Sequence, residues 1–440
     1  MDFIKDNINK LYWTYLRASV FSALVISIYS FVDTIAVGQS EGPIGTAAMA
    51  IINPFYGLAA FLGLLCGIGG SVLMSSTKTR GNEEEGNRWF TSGMILTLLV
   101  SVITWAVFLL FPDQIFTFFG ADETTLPKVK EYSSLITAFT PIFIFPMSLA
   151  AYVRNDGSPA YATAAVIIGS AVNIFGDWFF VFPLGMGMRG AALATVIGNS
   201  TQTVIILSYL FRKKCHLKFR RPARLWRSLG SICSVGVGSA IPDLGSLVIS
   251  IIMNNQIMRY SGSTALSVYG AVCTIMALFQ TMFGGVGQAV QPLVSSNYAV
   301  KKRERINRVM RLAAATTGVM SIVFFAVGEL FPKQITSIFM DTTEEVLAMA
   351  PTVMRPFFPV FLFMGINVLL IYYLQSVMEN RAAMVLSLGR SVVLTGILLF
   401  VLPLFLGFTG VLIALPVSEC IVAICSIAYT KKIQPKLYQE

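Results

Sequence analysis

The sequence predicts an all-α membrane protein with twelve transmembrane helices in two six-helix bundles. The first observation is composition: 55% of the residues are hydrophobic and only 12% are charged, whereas a soluble protein carries about a quarter charged residues. Second, the charges fall in short clusters between apolar runs of about 20 residues, the length that crosses a bilayer. Third, the pattern of runs recurs in the second half of the chain. An outer-membrane barrel would show alternating segments of about ten residues, and none is visible.

The helices follow from the apolar runs and the loop signals between them. In chain order, the predicted spans are about 14–38, 46–76, 89–111, 131–153, 160–182, 189–211, 231–259, 264–297, 309–331, 351–376, 382–405 and 409–430. The N-terminus has no separate signal-peptide pattern. We therefore expect the first helix to act as the targeting signal.

The distribution of Lys and Arg predicts the orientation. Of the 32 such residues, 25 fall on the same side as the N-terminus, six lie in the opposite loops, and Arg390 lies within a helix. Cytoplasmic loops carry this excess of positive charge, so both termini should face the cytoplasm. The same rule accounts for the net charge of +10 without a nucleic-acid partner.

The chain repeats itself at an offset of half its length, which we call the half-length offset. Phe111-Pro112 recurs as Phe331-Pro332, and Ser75-Ser76 recurs as Ser295-Ser296. Six helices per half give both halves the same orientation, and parallel repeats of this kind are typical of transporters. The predicted domains are lobes 1–211 and 229–440, joined by the basic linker 212–228. That linker is either a plain connection or a surface that binds anionic lipid.

Polar side chains at membrane depth mark a candidate site in the first half. Asp33 lies in the first helix, and Asn173 and Asp177 lie four residues apart on one face of the fifth. Thr195 lies in the sixth. Acids within a membrane are costly and usually belong to an ion or substrate pathway. At the half-length offset, the four positions meet only apolar residues, which are Met253, Val393, Ile397 and Leu415.

This one-sided set of oxygens suits a coupling cation, either H⁺ or Na⁺. Of two close acids in a low dielectric, one would be able to load and release a proton near neutral pH. The plainer alternative is that Asp33, held protonated, only bonds a neighbouring helix. A network needed for folding should have survived in both halves, so we favour the specialised site.

The second half holds Arg390 and Glu419 in its last two helices. Opposite charges in neighbouring helices usually pair, so we expect an ion pair. The alternative is that Glu419 binds a cationic substrate. Asp243, directly after Pro242, would gate the transporter or cap a helix, and the sequence does not decide between these roles.

Several enzyme classes lack their required residues. The six cysteines form no CxxC pair, and the single histidine, His216, lies in a basic loop. A zinc centre with histidine ligands and a Ser-His-Asp triad therefore lack their parts. No GxxxxGK[ST] motif for ATP occurs. We expect no enzyme activity and no cofactor.

Motifs in both halves resemble one family. They are Val32-Asp33, Arg154-Asn-Asp-Gly157-Ser-Pro159, Gly187-Met-Arg-Gly190, Gly287-Gln288-Ala-Val-Gln-Pro292 and Asn297-Tyr298. Together with the half-length repeat they resemble multidrug and toxic compound extrusion (MATE) transporters, in particular the bacterial branch that exports cationic drugs. The resemblance implies a V-shaped, two-bundle, monomeric antiporter in the bacterial inner membrane. It also implies a cation site at Asp33, Asn173, Asp177 and Thr195.

The expected function is therefore secondary active efflux of amphipathic, cationic small molecules in exchange for H⁺ or Na⁺. The substrate cavity is expected to include Asp33, Asp177, Glu419 and Gln288. Some members of the family carry a further acid on helix seven, but 246–253 contains none. The rival functions are a lipid-linked saccharide flippase of the same superfamily, which needs a cationic cavity, and a non-transporting membrane receptor.

Overall fold

The computed structural model describes residues 6–222 and 224–433, and every regular element within these ranges is a helix. The first half contains α1 (Ile8–Thr79), α2 (Glu83–Leu110), α3 (Pro112–Phe118), α4 (Leu126–Ala138), α5 (Pro141–Asn155), α6 (Pro159–Val181) and α7 (Gly187–Ser208). The second half contains α8 (Leu225–Ala299), α9 (Arg303–Leu330), α10 (Pro332–Phe339), α11 (Glu344–Phe357), α12 (Val360–Ser376), α13 (Asn380–Leu388) and α14 (Leu394–Ile433). A π-helical turn, Gly389–Val393, joins α13 to α14.

The described residues contain seven helices that are long and apolar enough to cross a membrane, or nine when each of two bent pairs counts as one span. Three of these helices are far longer than one crossing requires. Each is interrupted by a glycine with non-helical dihedral angles: Gly42 in α1, Gly262 in α8 and Gly407 in α14. Division at these glycines, with each bent pair taken as one span, gives twelve spans in the described ranges. The predicted twelve-helix fold is confirmed.

The internal repeat is visible in the backbone. Gly42 and Gly262 have positive φ angles of 64° and 71°, and they are related by the half-length offset. Gly187 and Gly407, with φ angles of 51° and 55°, have the same spacing. Helices α2 and α9 begin and end at this offset and contain 28 residues each. Since glycine adopts positive φ without steric cost, the two halves break their helices at equivalent points.

Two helices predicted as single spans are broken near proline. The span 131–153 is instead α4 and α5, bent by 50°, and the span 351–376 is α11 and α12, bent by 41°. The prediction of unbroken helices was wrong here. Pro141 begins α5, and Pro359 directly precedes α12; neither has the N–H that would continue the hydrogen-bond ladder.

Two loops also differ from the prediction, which leaves the segments 112–130 and 332–350 outside the helices. They contain the short helices α3 and α10 together with the first turns of α4 and α11. Both short helices start at a proline, Pro112 or Pro332, where the missing N–H costs no helical hydrogen bond.

The chain forms two compact units. One consists of Ile35–Asn255, and the other combines the residues up to Thr34 with those from Gln256 onward. We call them the 35–255 unit and the 256–440 unit. Their boundaries fall within α1 and α8, the two helices that break at Gly42 and Gly262. The division into lobes 1–211 and 229–440 stays a prediction.

Glu41 secures the start of α7 in the 35–255 unit. Its Oε1 accepts a hydrogen bond from the Met188 backbone N–H at 3.2 Å, and its Oε2 accepts one from Lys128 Nζ at 2.6 Å. A carboxylate at a helix N-terminus is favoured by the helix dipole. Gly187 lies directly against Glu41. This contact and the positive φ angle both require glycine at the first position of α7.

We predict that Gly187→Ala destabilises the protein more than Gly185→Ala. Gly185 also has a positive φ angle, of 63°, but its added methyl group would meet no atom within 4 Å. Backbone strain alone should cost Gly185→Ala about 1 kcal/mol. Gly187→Ala should cost about 3 kcal/mol, because its methyl group also displaces Glu41. Thermal unfolding of both variants in detergent measures the difference, and equal losses would contradict the role of Glu41.

Candidate functional site

Helix α6 separates a buried polar face from an exposed apolar face. Asn173 and Asp177 lie one turn apart on the buried face, with 3% and 0% of their surfaces exposed. Phe175 and Trp178 lie on the opposite face and are largely exposed. Residues at i and i+4 share a helix face. The sequence spacing therefore predicts that the amide and the carboxylate lie on the same face of the helix, and both are buried there. Large apolar side chains on the other side are suited to contact lipid.

Glycines allow α7 to approach this polar face closely. A Cβ added to Gly198 would lie 2.7 Å from Asn173 Cβ, and one added to Gly169 would lie 2.8 Å from the Gly198 carbonyl oxygen. Gly176 meets Ala194 in the same way, at 2.9 Å. Small residues of this kind let membrane helices pack backbone to backbone. The short interhelical distance brings Thr195 of α7 to Asn173.

A chain of polar groups runs through the 35–255 unit from this contact. Asn173 Nδ2 donates to Thr195 Oγ1 at 3.3 Å, and Thr195 Oγ1 lies 3.3 Å from the Tyr132 hydroxyl. The Tyr132 hydroxyl lies 2.9 Å from that of Tyr56. Asn173 Oδ1 is buried and has no hydrogen-bond partner among the described residues. The site therefore combines a buried carboxylate with an amide oxygen that is available to accept.

Tyr56 and Tyr132 were missed by the sequence analysis. The candidate residues were recognisable as charges within apolar runs, or as amide and hydroxyl groups with apolar counterparts at the half-length offset. Tyr132 falls at the edge of a predicted helix, beside an acidic loop, and counts as hydrophobic in composition. A fully buried tyrosine nevertheless needs a partner for its hydroxyl, and that requirement was the available signal.

The equivalent face of the second repeat has a different environment. Val393 and Ile397, at the positions of Asn173 and Asp177, are 57% and 55% exposed. Leu415, at the position of Thr195, is only half-buried. The first repeat therefore buries polar groups where the second presents aliphatic side chains at its surface. The replacement of polar by aliphatic residues between the two repeats is therefore accompanied by a loss of burial at these positions.

The other predicted site residues are distributed over both units. Asp33 is buried and belongs to the 256–440 unit, where the hydroxyl of its neighbour Thr34 accepts a bond from Thr274 at 3.2 Å. Gln288 is exposed on α8. Asp243 is half-buried on α8, within the 35–255 unit. The parts of Asp33 and Gln288 in coupling or substrate binding stay predictions.

The predicted ion pair between Arg390 and Glu419 is confirmed. Arg390 Nε lies 3.2 Å from Glu419 Oε1. Asn367 of α12, which the sequence analysis did not consider, donates to Glu419 Oε2 at 2.6 Å and to its backbone carbonyl at 2.8 Å. The carboxylate is thus bound on both oxygens. Its predicted contact with substrate remains untested.

The π-helical turn supports this pair. Thr395 Oγ1 donates to the Arg390 carbonyl oxygen at 2.6 Å and lies 2.8 Å from Ser418 Oγ. The wider turn shifts the hydrogen-bond pattern by one residue. The hydroxyl of Thr395 then satisfies a carbonyl group that would otherwise be exposed at membrane depth.

We predict that Arg390→Gln destabilises the protein by about 3–5 kcal/mol, because it leaves the buried Glu419 charge uncompensated. The double variant Arg390→Gln/Glu419→Gln should recover most of this loss, since both groups are then neutral. Thermal unfolding in detergent provides the comparison. A double variant no more stable than the single one would contradict a mainly electrostatic origin.

Among residues 6–222 and 224–433, no three His, Cys, Asp or Glu side chains form a group that could hold a metal ion. A coupling cation at α6 and α7 would instead use one carboxylate with amide and hydroxyl oxygens. Such oxygen ligands suit hard cations. A proton would need only the carboxylate.

Comparisons with known proteins agree with the repeat. The sequence profile of the family described as MatE matches residues 18–179 and, a second time, residues 240–402. The chain is similar to the multidrug export protein MepA of Staphylococcus haemolyticus, with 22% identity over 99% of this chain and 96% of that protein.

Two solved structures are similar along nearly the whole chain. An inward-facing multidrug resistance MATE family transporter of the MOP superfamily has a TM-score of 0.81 at 20% identity, over 96% of this chain and 99% of that one. The MATE multidrug transporter DinF-BH, solved in complex with a ligand, has a TM-score of 0.74 at 25% identity over the full length of both chains.

Proposed function

The chain belongs to the MatE family of multidrug transporters, and we propose that it is a secondary active antiporter that exports amphipathic cations in exchange for H⁺ or Na⁺. The observation that carries the proposal is the buried polar site of Asn173, Asp177 and Thr195 on α6 and α7, whose counterparts in the second repeat are aliphatic. The transported class is supported by the relatives: one is named a multidrug export protein, and another, solved with a bound ligand, is a multidrug transporter.

We also propose a location and a state of assembly. The protein is a monomer in the bacterial inner membrane, with both termini in the cytoplasm. The excess of Lys and Arg on the side of the N-terminus supports this orientation. Membrane-length helices throughout the described ranges support several crossings.

Asp177 is the residue proposed to carry the exchanged cation. For a proton, the carboxylate alone is the acceptor. For Na⁺, the Asp177 carboxylate, Asn173 Oδ1 and Thr195 Oγ1 supply oxygens on facing helices. Loading changes the charge at a site that excludes water, where electrostatic interactions are strong. We propose that this change shifts the packing of α6 on α7 and alternates the affinity for drug.

The membrane potential favours inward movement of the coupling cation by about 2.3 kcal/mol per charge per 100 mV. Export of a singly charged drug against one cation costs the same amount, so the concentration gradient of H⁺ or Na⁺ drives such an exchange. Asp33 is proposed as a second acid in this exchange, on the strength of its burial in α1.

A saccharide flippase is disfavoured by the charges at membrane depth. Its cavity would need free cations to hold pyrophosphate. Arg390 is neutralised by Glu419 at 3.2 Å, and the polar site of the first repeat is acidic. A receptor without transport does not account for a repeat that matches a transporter family twice.

We predict that Asp177→Asn abolishes coupled efflux while leaving the protein folded. The amide occupies the same volume but can neither take up a proton nor bring a negative charge to Na⁺. Ethidium efflux from energised cells, with the proton and sodium gradients collapsed separately, measures the effect. Efflux by Asp177→Asn at the wild-type rate would show that this residue has no role in coupling.

A matched pair of variants tests the hydroxyl of α7. Thr195→Ser retains the oxygen that contacts Asn173 and Tyr132, whereas Thr195→Val removes it with little change in volume. We expect Thr195→Ser to keep most of the efflux rate and Thr195→Val to lose at least about 10-fold, the effect of one removed interaction of about 1.4 kcal/mol. Equal rates for the two variants would show that the hydroxyl has no part in coupling.

A further inference from the structure

The basic linker is fixed to the 35–255 unit by hydrogen bonds to its backbone. Asp156 Oδ2 accepts from the His216 N–H at 2.9 Å, Asn87 Oδ1 from the Lys218 N–H at 3.2 Å, and Thr91 Oγ1 from the Arg220 N–H at 2.8 Å. Lys78 Nζ adds a bond to the His216 carbonyl at 3.0 Å. Bonds at alternate residues thus hold Lys218 and Arg220 against α2 and His216 against Asp156, so the segment 216–220 is an ordered surface.

This arrangement turns the basic side chains outward. The exposed cations of the linker and of the start of α8 are Arg212, Lys213, Lys214, Lys218, Arg220, Arg221, Arg224 and Arg227. Large aromatic side chains are exposed among them: Phe211, Phe219 and Trp226, the last at 81%. Aromatic residues beside Lys and Arg are characteristic of the boundary between lipid tails and headgroups. The surface is therefore suited to contact a membrane leaflet.

A cavity opens in this surface where the first turns of α2 and α8 meet. Its volume is about 350 Å³, and its lining includes Glu85, Arg88, Trp89, Arg224, Arg227 and Ser228. All of these residues belong to the 35–255 unit. Guanidinium and hydroxyl groups around a small cavity match the oxygens of a phosphate, which arginine binds with two parallel hydrogen bonds.

The cavity has an excess of positive charge. Arg88 is paired with Glu84 at 3.0 Å and with Glu85 at 3.2 Å, yet its Nε is buried without a hydrogen-bond partner in the described part of the chain. Within the same described ranges, neither Arg224 nor Arg227 has an ion-pair partner. The lining therefore contains one acid, Glu85, and three guanidinium groups, of which those of Arg224 and Arg227 are unneutralised and exposed.

We propose that this cavity binds the phosphate headgroup of an anionic phospholipid from the leaflet that borders the linker. Arg224 and Arg227 bind the phosphate, and Ser228 donates a further hydrogen bond. Trp226 and Phe219 lie at the level of the headgroups beside it. A soluble phosphate compound would meet the same cations but would not use the exposed aromatic side chains, which favour the lipid.

Binding of a fluorescent phosphatidylglycerol to the full-length protein in detergent tests the site, with phosphatidylcholine as the neutral competitor. Wild-type protein should prefer phosphatidylglycerol by at least about 10-fold. Because Arg224 and Arg227 are proposed to contact the phosphate itself through charge-assisted hydrogen bonds, Arg224→Gln/Arg227→Gln should weaken this binding at least about 25-fold. The matched control, Lys213→Gln/Lys214→Gln, removes the same charge from the linker outside the cavity and should change binding less than about 3-fold.

Three results would overturn the proposal. Equal loss in the two double variants would indicate a diffuse electrostatic attraction instead of a site. Complete displacement by millimolar inorganic phosphate would identify a soluble ligand, and equal affinity for phosphatidylcholine would remove the charge preference. If the Gln variant fails to fold, Arg224→Lys/Arg227→Lys retains both charges. It should bind phosphatidylglycerol with an intermediate loss, because it lacks the paired hydrogen bonds of arginine, and no loss would contradict phosphate recognition by arginine.

Discussion

The close packing of α6 on α7 is the constraint on which the candidate coupling site depends. A polar group at membrane depth must find its partner within the protein, since lipid offers none. Gly169, Gly176 and Gly198 remove the side chains that would hold the helices apart. The contact of Asn173 with Thr195 follows from that short distance. Glu41 adds a second fixed point, because it secures the first turn of α7.

The two repeats share a backbone design but differ in where they bury polarity. Their helices break at glycines related by the half-length offset, yet the positions of Asn173, Asp177 and Thr195 are aliphatic in the second repeat. There the equivalents of α6 and α7 are joined by the buried Arg390–Glu419 pair, and Asn367 donates to the second carboxylate oxygen. In the first repeat, Asp177 lies one helical turn from Asn173, whose side-chain oxygen is buried and accepts no hydrogen bond within the described ranges.

Much of this could be predicted from the sequence. Apolar runs indicated the helices, and the half-length offset identified Asn173, Asp177 and Thr195 as a set without counterparts. The bends at Pro141 and Pro359 were missed because apolar character continues through them, so a hydropathy pattern registers one span. Tyr132 and Asn367 were missed for another reason: both act through partners that are distant in the sequence. Only the folded chain brings Tyr132 to Thr195 and Asn367 to Glu419.

Cation flux driven by a drug gradient tests the central claim most directly. Proteoliposomes loaded with ethidium and a pH- or sodium-sensitive dye would report whether drug leaving the vesicle draws the cation inward. Wild-type protein should show flux of one of the two cations, and Asp177→Asn should bind ethidium but show none. Drug-driven flux that persists in Asp177→Asn at the wild-type rate would contradict the account, because the cation would then use a site other than the one on α6 and α7.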